Sequence, residues 1–152
     1  SIRGIRIRTK VEDKMTCFLC QKHKGEVAPP PGGYIYESAH WNICHAPVDK
    51  GPLGTLFIES TRHFLDFAEG NEDELVIYGL LLKNIYAALK SVTKAERVYQ
   101  VVFLEGIDHF HAWLVPRRRE DEERGVPFIS KDITCEQADA ENMATLLRNA
   151  LK

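Results

Sequence analysis

Asp108-His109-Phe110-His111-Ala112-Trp113-Leu114-Val115-Pro116-Arg117 is the stretch on which the reading of this chain turns. It sets two imidazoles two residues apart inside an apolar, strand-like run. On a β-strand, residues i and i+2 face the same side. His109, His111 and Trp113 are therefore predicted to line one surface while Phe110, Ala112 and Leu114 pack into the core. Imidazole is the neutral-pH nucleophile, proton carrier and metal ligand, so the pair points to a metal site or to covalent catalysis. The ordinary alternative is a pair of half-buried, hydrogen-bonded histidines; two in register, followed by Pro116-Arg117, weigh against it.

Working outward, 152 residues with 44% hydrophobic content suffice for one domain with its own core and are too few to expect two. The expectation is a single domain over 1–152, with a basic arm at 1–14 and an extension carrying a helix at 118–152. The net charge of −2 and a pI near 6.3 argue against a general nucleic-acid-binding face, so phosphate recognition has to be local and a small ligand fits better than a polymer. No uncharged apolar run approaches the eighteen or so residues of a membrane span, and the start of the chain alternates charge with Ile. A cytoplasmic protein with no membrane partner is expected. In that setting Cys17-x-x-Cys20 reads as thiols or metal ligands, while Cys44 and Cys135 read as ordinary buried or helix-start thiols.

Arg3, Arg6, Arg8 and Lys10, with Ile5 and Ile7 alternating, leave open whether residues 1–14 add an edge strand or form a loose arm. Pro29-Pro30-Pro31-Gly32-Gly33 breaks any helix, and strand-like pieces follow at Tyr34 to Tyr36, Trp41 to Cys44 and Thr55 to Glu59. Asn71 with Glu74 makes a capping-box start, after which Leu75, Tyr78, Leu82, Ile85 and Leu89 recur at helical spacing, predicting a helix over Glu72 to Ser91. Arg97 to Leu104 and Phe110 to Pro116 form a strand pair turning at Gly106-Ile107-Asp108, which puts both histidines on a central hairpin. Arg117 to Arg124 reads as a charged loop, and Thr134 with Gln137 opens a last helix striped by Met143, Leu146, Leu147, Ala150 and Leu151. Strands, a long helix, two strands and a terminal helix define an α+β domain.

His109-x-His111-x-x-x-x-Pro116-Arg117 resembles the signature of the histidine triad nucleotide hydrolases and transferases. In that family His-x-His-x-His is followed by two apolar residues, and the middle His is the nucleophile, which corresponds to His111. The third His is replaced by Trp113; the related galactose-1-phosphate uridylyltransferase branch carries Gln there and keeps the nucleophile. The resemblance covers roughly Cys17 to Arg117. It implies an antiparallel sheet of about five strands with helices packed on it, and a homodimer.

Cys17-Phe18-Leu19-Cys20 has the spacing with which two thiolates grip one metal, and tetrahedral zinc needs two more ligands. His63, after the strand ending at Glu59, and His109 would complete the set, and zinc-bearing members of the family resemble this arrangement. A structural zinc is the expected cofactor; a metal-free thiol pair and a redox pair are the alternatives. Such a zinc would tie the N-terminal segment to the histidine strand and orient His109.

A neutral imidazole nitrogen of His111 would attack an α-phosphorus and form a nucleotidyl-histidine that water or another acceptor resolves. Arg117 is the first candidate to stabilise the phosphoryl charge; Arg118 and Arg119 read as a solvated loop balanced by Glu120 to Glu123. Trp113 either stacks on a base and closes the pocket or is bulk in the sheet. Three departures accompany the resemblance. The family's Gly-His pair reads Leu53-Gly54-Thr55, the loop before the histidines is the short Gly106-Ile107-Asp108, and the ribose-holding acid gives way to Cys44-His45-Ala46-Pro47, where His45 either contacts a ligand or is an exposed loop residue. Two functional classes follow: a nucleotide hydrolase or nucleotidyl transferase acting on a nucleoside phosphate ester, anhydride or phosphoramidate, and a zinc-stabilised nucleotide-binding or adaptor domain with little or no turnover.

Overall fold

The computed structural model describes residues 16–152; the arm expected at 1–14 lies outside the described residues. Helix α1 (Phe18–His23) is followed by strands β1 (Tyr36–Glu37), β2 (Trp41–His45) and β3 (Leu56–Ser60), helix α2 (Glu72–Thr93), strands β4 (Arg97–Val101) and β5 (His111–Arg117), the short helix α3 (Val126–Ile129) and helix α4 (Gln137–Ala150). The five strands form one sheet in the order β1-β2-β3-β5-β4, with every neighbour antiparallel. β5, the strand that carries His111, is interior to the sheet, flanked by β3 and β4.

Period-2 alternation gives the sheet two unlike faces. Ile43, Leu56, Ile58, Ala112 and Leu114 face α2 and α4, and with Trp41, Ile85, Leu89 and Leu147 they make a buried apolar core. The predicted capping box is present: Asn71 accepts from the Glu74 N–H, and the Glu74 carboxylate accepts from the Asn71 N–H, each at 2.9 Å. Arg62 also holds Glu74, at 2.8 Å, and Trp41 donates its indole N–H to the Glu74 carbonyl, fixing the first turn of α2 to the sheet. By length and mean hydropathy alone α2 would pass for a membrane span. Lys83 and Lys90 interrupt its apolar run, and its Tyr78, Leu81, Ile85 and Leu89 stripe is buried in this core.

The 29–33 turn packs on α4, where Gly32 adopts a φ of +71° and a Cβ would lie 2.8 Å from the Glu141 carbonyl oxygen. Only glycine combines that backbone with that approach. Arg148 of α4 clamps the same turn through the carbonyls of Gly32 and Tyr34.

The structure corrects several boundaries. β4 ends at Val101 rather than Leu104, since Leu104 sits in the left-handed region with φ +59° and cannot continue a strand. His109 precedes β5 and is not one of its rungs. The 118–152 extension also holds the short helix α3, and α4 begins after Glu136 with no side-chain cap, so the Thr134 capping signal is not used. The buried stripe of α4 is Ala140, Met143, Ala144 and Leu147, while Leu146 is exposed.

Candidate active site and metal centre

The face of the sheet opposite the core carries the candidate site residues His111 and Trp113. Cross-strand register sets Trp113 against Phe57 and His111 against Glu59, and directly opposed residues share a face. Cys44 joins them from β2, opposite Phe57. Trp113 meets Phe57 edge-on, with ring centroids 4.6 Å apart.

His111 donates from Nδ1 to the His109 carbonyl oxygen at 2.8 Å. A carbonyl only accepts, so the proton belongs on Nδ1 and Nε2 carries the lone pair. That bond is the tautomer-fixing partner a nucleophilic imidazole requires, and it comes from the backbone, where no side-chain signal announces it.

Cys17, Cys20, His63 and His109 converge, with their ligand atoms all within 4.8 Å of one another. Cys17 Sγ lies 3.3 Å from His109 Nδ1, and Cys20 Sγ lies 3.4 Å from His63 Nδ1 and 3.6 Å from His109 Nδ1. Tetrahedral bonds of zinc length would put neighbouring sulfur and nitrogen ligands roughly 3.5 Å apart, so the four residues fit a closed Cys2His2 shell. His109 donates Nε2–H to the Ser60 carbonyl at 2.7 Å, which leaves Nδ1 unprotonated and aimed at the thiols. Burial, chiefly, holds the His109 imidazole down to about 4, so it is the neutral ligand form.

A polar cluster that the sequence reading did not single out lies next to His111. The Glu59 carboxylate, fully buried, accepts from Lys22 Nζ at 2.8 Å and from His23 Nε2 at 3.3 Å. Burial works against its ionisation, but the His23 hydrogen bond and the Lys22 charge outweigh burial and hold the carboxyl below its ordinary value. Burial likewise opposes the Lys22 ammonium, which the Cys44 sulfur and Glu59 carboxylate raise. Cys44 is pushed up to about 12 by burial and the neighbouring carboxylate and is a neutral thiol. The alternation Leu56-Phe57-Ile58-Glu59, a carboxylate in an apolar run, is the signal that could have found Glu59.

Of two further expected ligand contacts, Arg117 is placed away from His111, while His45 lines the same cavity as His111 and Trp113. Arg117 is six positions along β5 from His111, roughly 20 Å at strand rise; its guanidinium is enclosed by Glu96 at 3.0 Å and the Tyr99 hydroxyl at 3.1 Å. The structure does not bring it to His111. His45 is not an exposed loop residue: it ends β2 at 1% exposure. It donates Nδ1–H to the Ala46 carbonyl and accepts the Gly54 N–H at Nε2, so both ring nitrogens serve the β2–β3 connection.

No family model matches the sequence, and no curated protein matches it. The fold does have counterparts among solved structures. A zinc-bound histidine triad family protein from Mycobacterium smegmatis superposes with a TM-score of 0.70 at 20% identity, covering 91% of this chain and 94% of that one. A hypothetical histidine triad nucleotide-binding protein from Sulfolobus tokodaii gives 0.70 at 17% identity over 89% and 91%. A Hit-like protein involved in cell-cycle regulation from Bartonella henselae, solved with an unknown ligand, gives 0.70 at 14% identity over 89% and 96%. The chain has the histidine triad fold, an α+β domain on a five-stranded antiparallel sheet. The likeness extends past Arg117 into the 118–152 segment, beyond the reach of the sequence motifs.

Proposed function

We propose that this protein is a nucleotide hydrolase or nucleotidyl transferase that attacks the α-phosphate of a nucleoside phosphate ester, anhydride or phosphoramidate through a covalent nucleotidyl-histidine on His111. The observation that carries the reading is the Nδ1–H bond from His111 to the His109 carbonyl, which leaves Nε2 as a lone-pair nucleophile on the wall of an open cavity. In the first step an Nε2–P bond forms as the bond to the leaving group breaks. In the second, water or another acceptor attacks phosphorus and returns the imidazole. The backbone carbonyl stabilises the imidazolium as the adduct forms.

Cys17, Cys20, His63 and His109 would hold a structural zinc, which supplies cross-linking and no reacting atom. The carbonyl that orients His111 belongs to His109, so a metal shell there would fix the nucleophile's neighbour directly. Replacement of the third histidine by Trp113 removes a proton donor from the leaving-group side, since an indole N–H does not titrate. Trp113 would then serve as a wall that stacks on the substrate. We place this activity in the cytoplasm, on a small nucleotide rather than a nucleic acid polymer or a membrane. A homodimer is supported by β4, which is an edge strand among the described residues, and by Val76 and Leu80 on the outer side of α2, both about 60% exposed.

The test is phosphorus NMR of wild type and His111→Ala with dinucleoside polyphosphates, nucleoside phosphoramidates and nucleotide sugars. Cleavage at the α-phosphorus by wild type alone supports the reading. Binding without cleavage by either form would instead favour the adaptor class.

A further inference from the structure

With Arg117 enclosed by Glu96 and Tyr99, two cations stand on the wall of the cavity of about 670 Å³ that His111 and Trp113 line: Lys22 and Lys50. They differ in how they are held. Lys50 is exposed on the β2–β3 connection. Lys22, in α1, is fixed: Nζ donates to Glu59 Oε2 at 2.8 Å and to Cys44 Sγ at 3.2 Å, and only 9% of its side chain is exposed. That ammonium lies beside His111. Glu59, its counter-charge, is the direct partner of His111 across β3 and β5. The same Nζ stands 5.7 Å from the centre of the Phe57 ring, and Phe57 packs on Trp113. Lys22 is therefore held over β3, opposite the two site residues of β5.

An ammonium carries three N–H donors and no acceptor. Glu59 and Cys44 take two of them, and no described residue takes the third. A donor left over on a cavity wall is a place for an acceptor on the ligand. The acceptors within a few bonds of a phosphorus atom at His111 are the oxygens of the phosphate and of the ribose. The clamp also supplies preorganisation. A free lysine loses rotamer freedom when it grips a ligand, and that loss subtracts from affinity. Lys22 has already lost it on folding, to Glu59 and Cys44. Because Glu59 cancels the net charge of the ammonium, the pair offers a directed hydrogen bond rather than a field that would hold any anion.

Given a nucleotide in this cavity, as proposed above, we infer that Lys22 is a ligand-binding residue. Its Nζ donates the third N–H to an oxygen of the bound nucleotide, on the ribose or on the phosphate. Glu59 is its positioning residue: it touches no ligand and aims the ammonium from behind. The contact is independent of the chemistry at His111, since it serves a nucleotide that is merely held as well as one that is cleaved.

The experiment is titration calorimetry of the full chain with adenosine, guanosine, cytidine and uridine 5′-monophosphates. The tightest binder is then compared with its 2′-deoxy form, its 3′-deoxy form and the nucleoside without phosphate, in wild type, Lys22→Met and the double variant Lys22→Met/Glu59→Gln. The double variant removes both charges of the buried pair, so it carries the test if K22M alone fails to fold, which Tm checks. Expected is that one of these three losses raises Kd about tenfold or more in wild type, as removal of a hydrogen bond to a charged group does, and less than about twofold in the variants. A deoxy form that behaves so assigns the contact to that hydroxyl, and the bare nucleoside assigns it to the phosphate. Equal factors in wild type and variants for all three compounds would overturn the contact and leave Lys22 as a tie between α1 and β3. Binding of no monophosphate would overturn the contact together with the nucleotide site. The expected pattern without any nucleotidyl adduct on His111 would keep the contact and remove the nucleophile.

Discussion

The two faces of β5 are built from the same seven residues and obey opposite rules. On one face Ala112 and Leu114 are fully buried against Ile58 and Leu56 and the helices beyond, and every contact is dispersion and water exclusion. On the other, His111 and Trp113 stay part-exposed opposite Glu59 and Phe57, and hydrogen bonds fix geometry there. The lesson is that the core face supplies the rigidity on which the reactive face depends. An interior strand held by β3 and β4 gives its Nε2 atom a fixed position that a loop could not.

That contrast predicts separable effects. The largest is on chemistry: His111→Ala should lower kcat by at least about 10³-fold, as loss of a covalent nucleophile does. Its Tm should change little, because His111 makes one hydrogen bond and is not in the core. A drop in Tm comparable to a core deletion would break the separation of faces. On the opposite side, Leu114→Ala should cost about 2–5 kcal/mol through lost burial and the cavity left behind. That corresponds to a Tm roughly 5–15 °C lower, with kcat retained at temperatures where the variant is folded.

The Cys2His2 cluster sharpens the comparison, because it reaches the face of His111 from outside the sheet. Cys20→Ser should lose stoichiometric zinc, measured by atomic emission after dialysis, and chelation of wild type should lower Tm toward that of the variant. Wild-type protein that holds no zinc and presents freely titratable Cys17 and Cys20 would sink the metal assignment.

Glu59→Gln tests the buried polar cluster. The native carboxyl is held below its unfolded value, so its contribution to stability is present above an unfolded pKa near 4.3 and disappears as pH falls through the lower, folded value. The acid limb of Tm against pH should therefore be steeper in wild type than in E59Q. At neutral pH the variant should be less stable by a few kcal/mol, because the buried Lys22 ammonium loses its counter-charge. Parallel acid limbs would contradict this account. The smallest effect belongs to Arg117→Met, expected to change kcat/KM by less than about twofold. A large loss at unchanged Tm would restore Arg117 as a phosphate ligand.

What could be read from the sequence followed from periodicity and caps. The apolar alternation of β5, the Asn71–Glu74 box and the Cys-x-x-Cys spacing are local signals, and the elements they announced are present. Convergence of His63 with His109 needed the resemblance, since they lie 46 positions apart and the β3–β5 pairing makes them neighbours. The misplacements have tertiary causes. His109 reads as a strand residue by alternation, but its ring turns away to bond Ser60 and face the thiols before β5 begins. Arg117 follows the motif directly, yet strand rise carries it to the far end of the sheet. His45 follows the predicted strand Trp41 to Cys44, and pairing with Leu56 extends β2 through it.

The most direct test of the central claim is to quench wild-type protein during turnover and map the adduct by mass spectrometry. The account predicts a nucleoside monophosphate mass on the peptide containing His111, absent from His111→Ala and lost on incubation with water. Steady turnover with no adduct on that peptide, or undiminished turnover by His111→Ala, would contradict it.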